Sequence, residues 1–467
     1  MDTIAPLYIA RIEVQKLFGL YDYLLEETAS GDQAGRVAIL YGDNGSGKTT
    51  ILRSIFHILA PDGSAGHKTT IATTPFSFFK ITLSDKTIIQ VERKKNNLTG
   101  SFVLTIKKYR KKAESFRFNV NERMAINSST QTVKERDEIA LCLSRLKALN
   151  LGLYHLADDR TIELAGQASK FSSDSESECE SDREQDYFLA AAAAARCQGY
   201  SGRAIKRFPA RPNAIAADLL DQSMERFALW VKNLVLQAST AGDSNVNTLY
   251  NTILARVAHV SPNTLKKSLD KTQLQLRIQS VENRSRALAK YGFAPEFKGS
   301  EILAQLDIAA APQNVSMMAH VLTPYLDSLE KRLEALDHVY EIVDNLVQII
   351  NGFLSHKEIE FHVHGGLSIV TSGGDNLKPS MLSSGERHLL LIFCNTAVSL
   401  DHPSIFIVDE PEISLNIKWQ RSLIESLSKC IGSNPVQYIF ATHSLEIISQ
   451  YGDRVFKLGN KATHKTV

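Results

Sequence analysis

The sequence is poor in cysteine and has no long apolar run. Only five of its 467 residues are cysteine, and none forms a Cys-x-x-Cys pair. This spacing predicts reduced thiols and excludes disulfide and zinc frameworks. No stretch approaches the ~18 apolar residues of a membrane span, and no signal-peptide pattern opens the chain. We expect a cytoplasmic protein without membrane contact, and we exclude a transporter with fused membrane helices, though not one with a separate membrane subunit.

Net charge is also nearly absent. The chain has 53 Lys and Arg against 51 Asp and Glu, for a net charge of +2. No global field therefore favours nucleic acid or a membrane surface, and a basic footprint has to be local. The one dense basic run is Lys107, Lys108, Arg110, Lys111 and Lys112. Either a solvated hairpin or a nucleic-acid contact fits that run.

A phosphate-binding loop is the clearest motif present. Residues Gly42 to Thr49 fit G-x-x-x-x-G-K-[ST] and follow the apolar run Val37–Tyr41. A strand, a glycine-rich turn and a helix predict a nucleotide site, because backbone N–H groups and the helix N-terminus bind phosphate. Lys48 is expected to reach the β- and γ-phosphates, and Thr49 to bind Mg²⁺. The predicted nucleotide-binding residues are Asn44, Gly45, Ser46, Gly47, Lys48, Thr49 and Thr50.

Two further apolar runs end in groups that can act on a bound nucleotide. Residues 404–408 predict a buried parallel strand that ends in Asp409 and Glu410. The first acid can hold Mg²⁺, and the second can polarise an attacking water. Residues 436–440 predict a second strand, after which His443 follows. We expect all three side chains at one sheet edge.

A serine-glycine segment opens a predicted helix between these two regions. Ser383 and Glu386 have the spacing of a capping box, before a helical run from Arg387 to Val398. The capping box does not account for the glycine. Ser384 and Gly385 at a helix N-terminus therefore predict a second anion-binding site, far from the first along the chain.

Taken in order, these motifs resemble those of ABC-type ATPases of the SMC, RecF and OLD group. The resemblance implies ATP and Mg²⁺ as ligands, Lys48, Glu410 and His443 as catalytic groups, and Thr49 and Asp409 as metal ligands. It also implies that two heads pair head-to-tail, so that Ser384 and Gly385 of one chain close the ATP site of another in a homodimer or higher oligomer. Asn416 stands where many relatives have a histidine.

The predicted fold class is α/β: an ABC-type P-loop ATPase head, with a mixed sheet and an antiparallel β-subdomain, interrupted by a helical, partly coiled-coil-like insertion. The first lobe is predicted over 1–165, with β-rich sequence at 78–120. The insertion covers 166–356, with an acidic loop at 172–186 and an alanine-rich run at 189–195. Its clearest helix is predicted to start at Thr323-Pro324, with an apolar heptad seam up to Ile350. The second lobe covers 357–467.

The resemblance also suggests a biological role. The chain stops soon after His443, without the TOPRIM domain of OLD nucleases, and resembles the ATPase subunits of anti-phage systems such as Septu and PARIS. We therefore expect a sensor and regulator that controls a separate nuclease. The alternative is a RecF-like DNA-repair ATPase that binds DNA. A third, a scaffold that binds ATP without hydrolysing it, is disfavoured by the intact Glu410.

Overall fold

The described residues of the computed structural model are 7–26, 36–63, 66–94, 97–126, 131–168, 212–242, 250–255, 271–308, 312–432 and 434–458. The predicted acidic loop at 172–186 and the alanine-rich run at 189–195 lie outside them. Within the described part of the chain, no helix is long and apolar enough to cross a membrane.

The chain divides into two compact units. The first contains Met1–Leu219, Ser383–His388 and Val398–Val467, and the second contains Leu220–Leu382 and Leu389–Ala397. In chain order the strands are β1 (Ile9–Leu17), β2 (Tyr21–Glu26), β3 (Val37–Tyr41), β4 (Phe78–Leu83), β5 (Ile88–Glu92), β6 (Phe102–Lys107), β7 (Glu114–Phe118), β8 (Gly152–Leu156), β9 (Ile162–Gly166), β10 (Lys357–His362), β11 (Gly366–Thr371), β12 (Asn376–Leu377), β13 (Ser404–Asp409), β14 (Val436–Thr442) and β15 (Val455–Lys457). Strands β10, β11 and β12 belong to the second unit, and the others belong to the first.

A six-stranded sheet carries the predicted motifs. Its order is β15-β3-β14-β13-β8-β9, and all neighbours are parallel except β8 and β9. Every residue of β8, β13 and β14 is buried, as expected of strands covered on both faces. The strands predicted at 37–41, 404–408 and 436–440 are confirmed.

An antiparallel sheet forms the other half of this unit. Its order is β2-β1-β4-β5-β6-β7, and β1 is irregular between Val14 and Leu17. Four of its strands cover the predicted β-rich region, which is confirmed. The basic run lies at the β6–β7 hairpin turn and is mostly exposed, with Lys86 and Arg110 both against the Tyr109 ring. The hairpin interpretation fits this position.

The helix after the phosphate loop ends in a buried polar cluster. This helix is α1 (Lys48–Leu59), and α2 (His67–Thr73) packs against it. Lys68 donates from Nζ to the carbonyls of His57, Ile58 and Ala60 at 2.8–2.9 Å, and so places a cation at the C-terminus of α1. Nδ1 of His57 lies 2.9 Å from Nδ1 of His67. One of these two rings donates and the other accepts, so at least one is neutral.

The remaining helices include the long helices of the second unit. In chain order they are α3 (Val133–Lys147), α4 (Pro212–Gly242), α5 (Lys271–Lys290), α6 (Gly299–Ile308), α7 (Pro312–Phe353), α8 (Ser384–Val398), α9 (Ile417–Ile431) and α10 (Leu445–Ile448). The predicted helix start at Thr323-Pro324 is wrong, because α7 begins at Pro312 and continues through Pro324. Pro324 supplies no N–H to the His320 carbonyl one turn before it, but the helix is buried on both sides of this position, with Ala319 1% exposed and Leu326 fully buried.

Helices α5 and α7 run parallel and are joined by a polar ladder. Arg277 bonds Glu330 at 2.6 Å, Arg284 bonds Asp337 at 2.9 Å, and the Tyr291 hydroxyl donates to Asp344 at 2.6 Å. The two partners of each pair are 53 positions apart in sequence, and successive pairs are seven residues apart on both helices. The two helices therefore run in the same direction. The apolar side chains buried beside this ladder are Leu274, Ile278, Val281, Leu288, Leu333, Leu336, Val343 and Val347. The predicted α/β class with a helical insertion is confirmed.

The pair of His57 and His67 at the C-terminal end of α1 predicts that the protein loses stability in acid. Burial, with nearby positive charge, lowers the pKa of His57 to about 2 and that of His67 to about 4. The unfolded chain binds protons on these rings below pH ~6.5 while the folded chain does not, so the free energy of unfolding falls as the pH drops from ~6.5 towards 4. At His67 alone the fall amounts to about 3 kcal/mol.

Hydrogen exchange of the α1 amides, measured over this pH range and corrected for intrinsic rates, reports that loss. His67→Gln should make the pH dependence shallower, because only the contribution of His57 remains, whereas the exposed His338→Gln should leave it unchanged. An unaltered profile in His67→Gln would contradict this account.

Candidate functional site

Three parallel strands end together at one edge of the sheet. β14 lies between β3 and β13, with Thr442 paired to Tyr41 and Asp409 paired to Ala441. The phosphate loop follows β3, Glu410 follows β13 and His443 follows β14. The structure therefore brings the sequence-predicted residues of all three motifs to the same edge, within one compact unit.

The phosphate loop is shaped by glycine and held by a buried lysine. Gly45 and Gly47 have positive φ angles of 85° and 90°, and Gly47 is the N-cap of α1 without a side-chain cap. Lys48 is 6% exposed, and its Nζ donates to the carbonyls of Gly42 at 2.7 Å and Asp43 at 3.2 Å. The N-terminal N–H groups of α1 have no carbonyl one turn before them. This arrangement suits a phosphate group.

Two features of the loop were not visible in its motif. A Cβ on Gly47 would lie 2.6 Å from the Leu17 side chain, so this glycine is fixed by β1 as well as by its φ angle. The Tyr23 hydroxyl on β2 donates to the Ser46 carbonyl at 2.9 Å. The antiparallel sheet thus supports the loop from one side.

Asp409 is a buried carboxylate without a partner. It is 1% exposed, and neither carboxylate oxygen has a hydrogen-bond partner among the described residues. Burial, with the charges of Asp158 and Glu410, raises its pKa to about 6. The nearby Thr49 hydroxyl opposes this rise, although no hydrogen bond of ordinary geometry joins it to the carboxylate. A carboxylate and a hydroxyl next to a phosphate loop are the oxygen ligands that Mg²⁺ prefers, so the residues fit this ion.

Glu410 and His443 lie beside each other. Glu410 has a positive φ of 47°, unusual for a residue with a side chain, and its N–H donates to the Ala441 carbonyl at 2.8 Å. The half-exposed His443 ring has Nδ1 3.4 Å from Glu410 Oε1 and 3.5 Å from Glu412 Oε1. These distances exceed those of an ordinary hydrogen bond, so the contacts are electrostatic.

Sequence reasoning missed Glu412. This residue is 7% exposed, and its Oε1 accepts from the Thr442 hydroxyl at 2.6 Å and from the N–H groups of His443 and Ser444 at 3.0 and 3.2 Å. A carboxylate therefore joins the turn after β13 to the turn after β14. The available signal was a second glutamate two positions after Glu410, in Glu-Pro-Glu.

The rest of the turn after β13 has structural partners. Asn416, whose role the missing histidine left open, is the N-cap of α9 and accepts from the Trp419 N–H at 2.9 Å. Ser414 has a positive φ of 66°, and its hydroxyl bonds the Arg160 guanidinium beyond β8. The turn is therefore held at both of these residues.

The serine-glycine segment has the predicted capping box and one unexpected contact. Ser383 N–H donates to Glu386 Oε2 at 2.7 Å, and Glu386 N–H donates to Ser383 Oγ at 3.2 Å, so the box is confirmed. Gly385 is buried, and a Cβ there would lie 2.4 Å from the Ser414 carbonyl oxygen of the same chain. Only glycine permits that approach. Ser384 is half-buried beside it.

Two family models match the chain. Residues 34–200 match a model described as an AAA domain. Residues 234–449 match a model described as AAA domain, putative AbiEii toxin, Type IV TA system. The two matches between them include the phosphate loop and both strands that end in the site. They support a P-loop ATPase and imply nucleotide binding and ATP hydrolysis.

Curated relatives are similar over shorter stretches. A putative ABC transporter ATP-binding protein of Clostridium acetobutylicum is 26% identical over 24% of this chain and 39% of its own length. A tyrosine transport ATP-binding protein of Clostridioides difficile is 29% identical over 22% of this chain and 41% of its own length. The chain spans about two fifths of the length of these relatives.

The chain is also similar to solved structures of Smc head domains. One is the Smc head domain of Pyrococcus furiosus, which has an extended coiled coil and is bound to the C-terminal domain of ScpA. It is 12% identical, the match covers 95% of this chain and 91% of that chain, and the TM-score is 0.34. The Smc head domain of Pyrococcus yayanosii, with a coiled coil and joint, is 15% identical over 95% and 93%, with a TM-score of 0.34.

Proposed function

We propose that this chain hydrolyses ATP at the edge shared by β3, β13 and β14. Lys48 and the N-terminus of α1 bind the phosphates, and Glu410 orients and deprotonates the attacking water. His443 lies next to Glu410 and contacts the terminal phosphate. Mg²⁺, held by Thr49 and Asp409, neutralises charge on the phosphates when bound. The observation that carries the proposal is Asp409, a buried unpartnered carboxylate beside a phosphate loop.

The site of one chain is completed by a second chain. Ser384 and Gly385 form a helix N-terminus suited to an anion, in the position at which the resembling ATPases cap the nucleotide of a partner. ATP bound between two heads then favours the pair, and its hydrolysis releases it. The expected assembly is a head-to-tail homodimer or a higher oligomer built from such pairs.

This switching regulates another protein. The groups that we identify at the site all serve phosphoanhydride hydrolysis. We propose the chain as the sensor and regulator subunit of a bacterial anti-phage complex, in which head pairing controls a separate nuclease.

The first prediction separates binding from hydrolysis. Lys48→Ala should abolish ATP binding, since the phosphates lose their side-chain cation. Glu410→Gln should bind ATP but hydrolyse it at least ~10²-fold more slowly than wild type, because the amide cannot take the proton. Isothermal titration and phosphate release measure the two steps, with the exposed Glu425→Gln as a control of unchanged rate. Equal rates in wild type and Glu410→Gln would remove Glu410 from the catalytic step.

The next prediction tests whether the site is shared. Ser384→Arg and Lys48→Ala chains should each be inactive alone, and a mixture should regain roughly a quarter of the wild-type rate if chains pair at random. Ser384 is the position to change, because a substitution at Gly385 would displace Ser414 within its own chain.

A mixture of Lys48→Ala with Glu410→Gln is the control, since both defects then lie in the same half of the site and no intact site can form. No recovery in the first mixture would show that the site is complete within one chain. Recovery in the control would show that Lys48 and Glu410 act in different halves of the site.

The regulatory role predicts a division of labour. The purified chain with ATP and Mg²⁺ or Mn²⁺ should leave DNA and RNA uncut, whereas cells that carry it with its partner nuclease should resist phage. Lys48→Ala and Glu410→Gln should each remove this resistance at unchanged protein levels. Metal-dependent cleavage by the purified chain, lost on substitutions outside Lys48, Asp409 and Glu410, would instead place a nuclease within this chain.

A further inference from the structure

We propose that Glu412 is a positioning residue that holds the His443 loop against the turn carrying Glu410. The inference rests on the proposed hydrolysis site for its functional meaning, but its geometry is independent of ATP. Glu412 itself faces the loop backbone, so it acts through His443.

A single oxygen atom of Glu412 holds the end of β14. Oε1 of Glu412 accepts three hydrogen bonds, from Thr442 Oγ1, His443 N and Ser444 N, at 2.6, 3.0 and 3.2 Å. All three donors belong to consecutive residues at the end of β14. Hydrogen bonds to an ionised acceptor are stronger than neutral ones, and a buried site excludes competing water. The loop that carries His443 is thus fixed by its backbone, whatever its side chain contacts.

The turn that carries Glu412 is fixed as well. The Leu415 N–H donates to the Glu412 carbonyl at 3.0 Å, and Gln420 Nε2 on α9 donates to the Leu415 carbonyl at 2.9 Å. The Ser444 hydroxyl donates to Gln420 Oε1 at 2.9 Å. Two side chains, Glu412 and Gln420, therefore connect the same pair of turns, and a movement of one turn has to move the other.

This connection places the imidazole relative to the proposed catalytic acid. Nδ1 of His443 faces Glu410 and Glu412 at 3.4 and 3.5 Å, which leaves Nε2 as the nitrogen directed away from both carboxylates. The half-exposed ring keeps that nitrogen available to a phosphate oxygen. Loss of the Glu412 acceptor would free the ring from this orientation.

A glutamine on β14, the strand that precedes His443, provides a matched control. Gln437 on β14 is also buried and also joins two segments, because its side chain bonds the N–H and carbonyl of Ile9 at 2.8 and 3.0 Å. It lies at the other end of the strand from His443. A general loss of packing should affect both positions alike, whereas loss of positioning should follow Glu412 only.

The first arm of the test measures the loop without ATP. Hydrogen exchange of residues 441–446 in the full chain should accelerate in Glu412→Ala, by at least ~10-fold at His443, whose N–H loses its acceptor. The Ser444 N–H keeps Thr442 Oγ1 at 3.0 Å as a second acceptor and should change less. Glu412→Gln keeps an oxygen in place and should stay close to wild type. Gln437→Ala should alter exchange near Ile9 but not at 441–446. Unchanged exchange in Glu412→Ala would overturn the proposal, whatever the ATPase rate.

The second arm measures catalysis. Glu412→Ala should lower kcat ~10²-fold with KM for ATP nearly constant, as expected of a misplaced catalytic group, and Glu412→Gln should restore most of the rate. In a His443→Ala background, Glu412→Ala should cause little further loss, because both changes remove the same contribution. Losses that multiply would show that Glu412 does not act through His443. If Glu412→Ala fails to fold, Glu412→Asp, which withdraws the carboxylate by one methylene, should give intermediate values in both arms.

The two arms fail separately. If wild type hydrolyses no ATP but the exchange result holds, the proposed function is wrong and the link between the loops remains. If hydrolysis depends on Glu410 but not on Glu412, the proposed function stands and this inference is wrong.

Discussion

Parallel pairing of β3, β14 and β13 is the constraint on which the rest of the site depends. Parallel strands end at the same sheet edge, so three segments far apart in sequence deliver their loops to one place. The pairing is stabilised by strands that are almost wholly buried, with Asp409 at the last buried position of β13. Sliding β13 by one residue against β14 would turn Asp409 to the opposite face of the sheet. The hydrophobic core thus fixes the position of the charged groups.

The same edge carries features that oppose stability. Asp409 is buried without a partner, Glu410 has a positive φ angle, and Ser414 has a second one in the same turn. Each costs of order 1–3 kcal/mol, and each persists because the neighbouring contacts hold it. Glu412 and Asn416 supply those contacts within the turn, and Arg160 supplies one from beyond β8. A ligand that pairs with Asp409 would relieve part of this cost, which is consistent with a site that changes with nucleotide.

Much of this arrangement could be predicted from the sequence. The phosphate loop, the three strands and the capping box at Ser383 are local patterns, and each is recognisable from neighbours within a few residues. Glu412 was missed because its partners are 30 to 32 positions away and two of the three are backbone N–H groups, which leave no residue signature. The start of α7 was wrong because Thr-Pro is the same local signal at a helix start and inside a helix. Only the packing of residues before Thr323 decides between these, and Ser316 and Ala319 there are both 1% exposed.

The central claim is that ATP bound by one chain is enclosed by a second. Sedimentation velocity of the Glu410→Gln chain, which should retain ATP, tests this most directly. The account predicts a monomer without nucleotide and a dimer with ATP and Mg²⁺, and the dimer should be absent when Lys48→Ala or Ser384→Arg is added to Glu410→Gln. A chain that binds ATP fully and remains monomeric at micromolar concentration, or one that dimerises equally in all these variants, would contradict it.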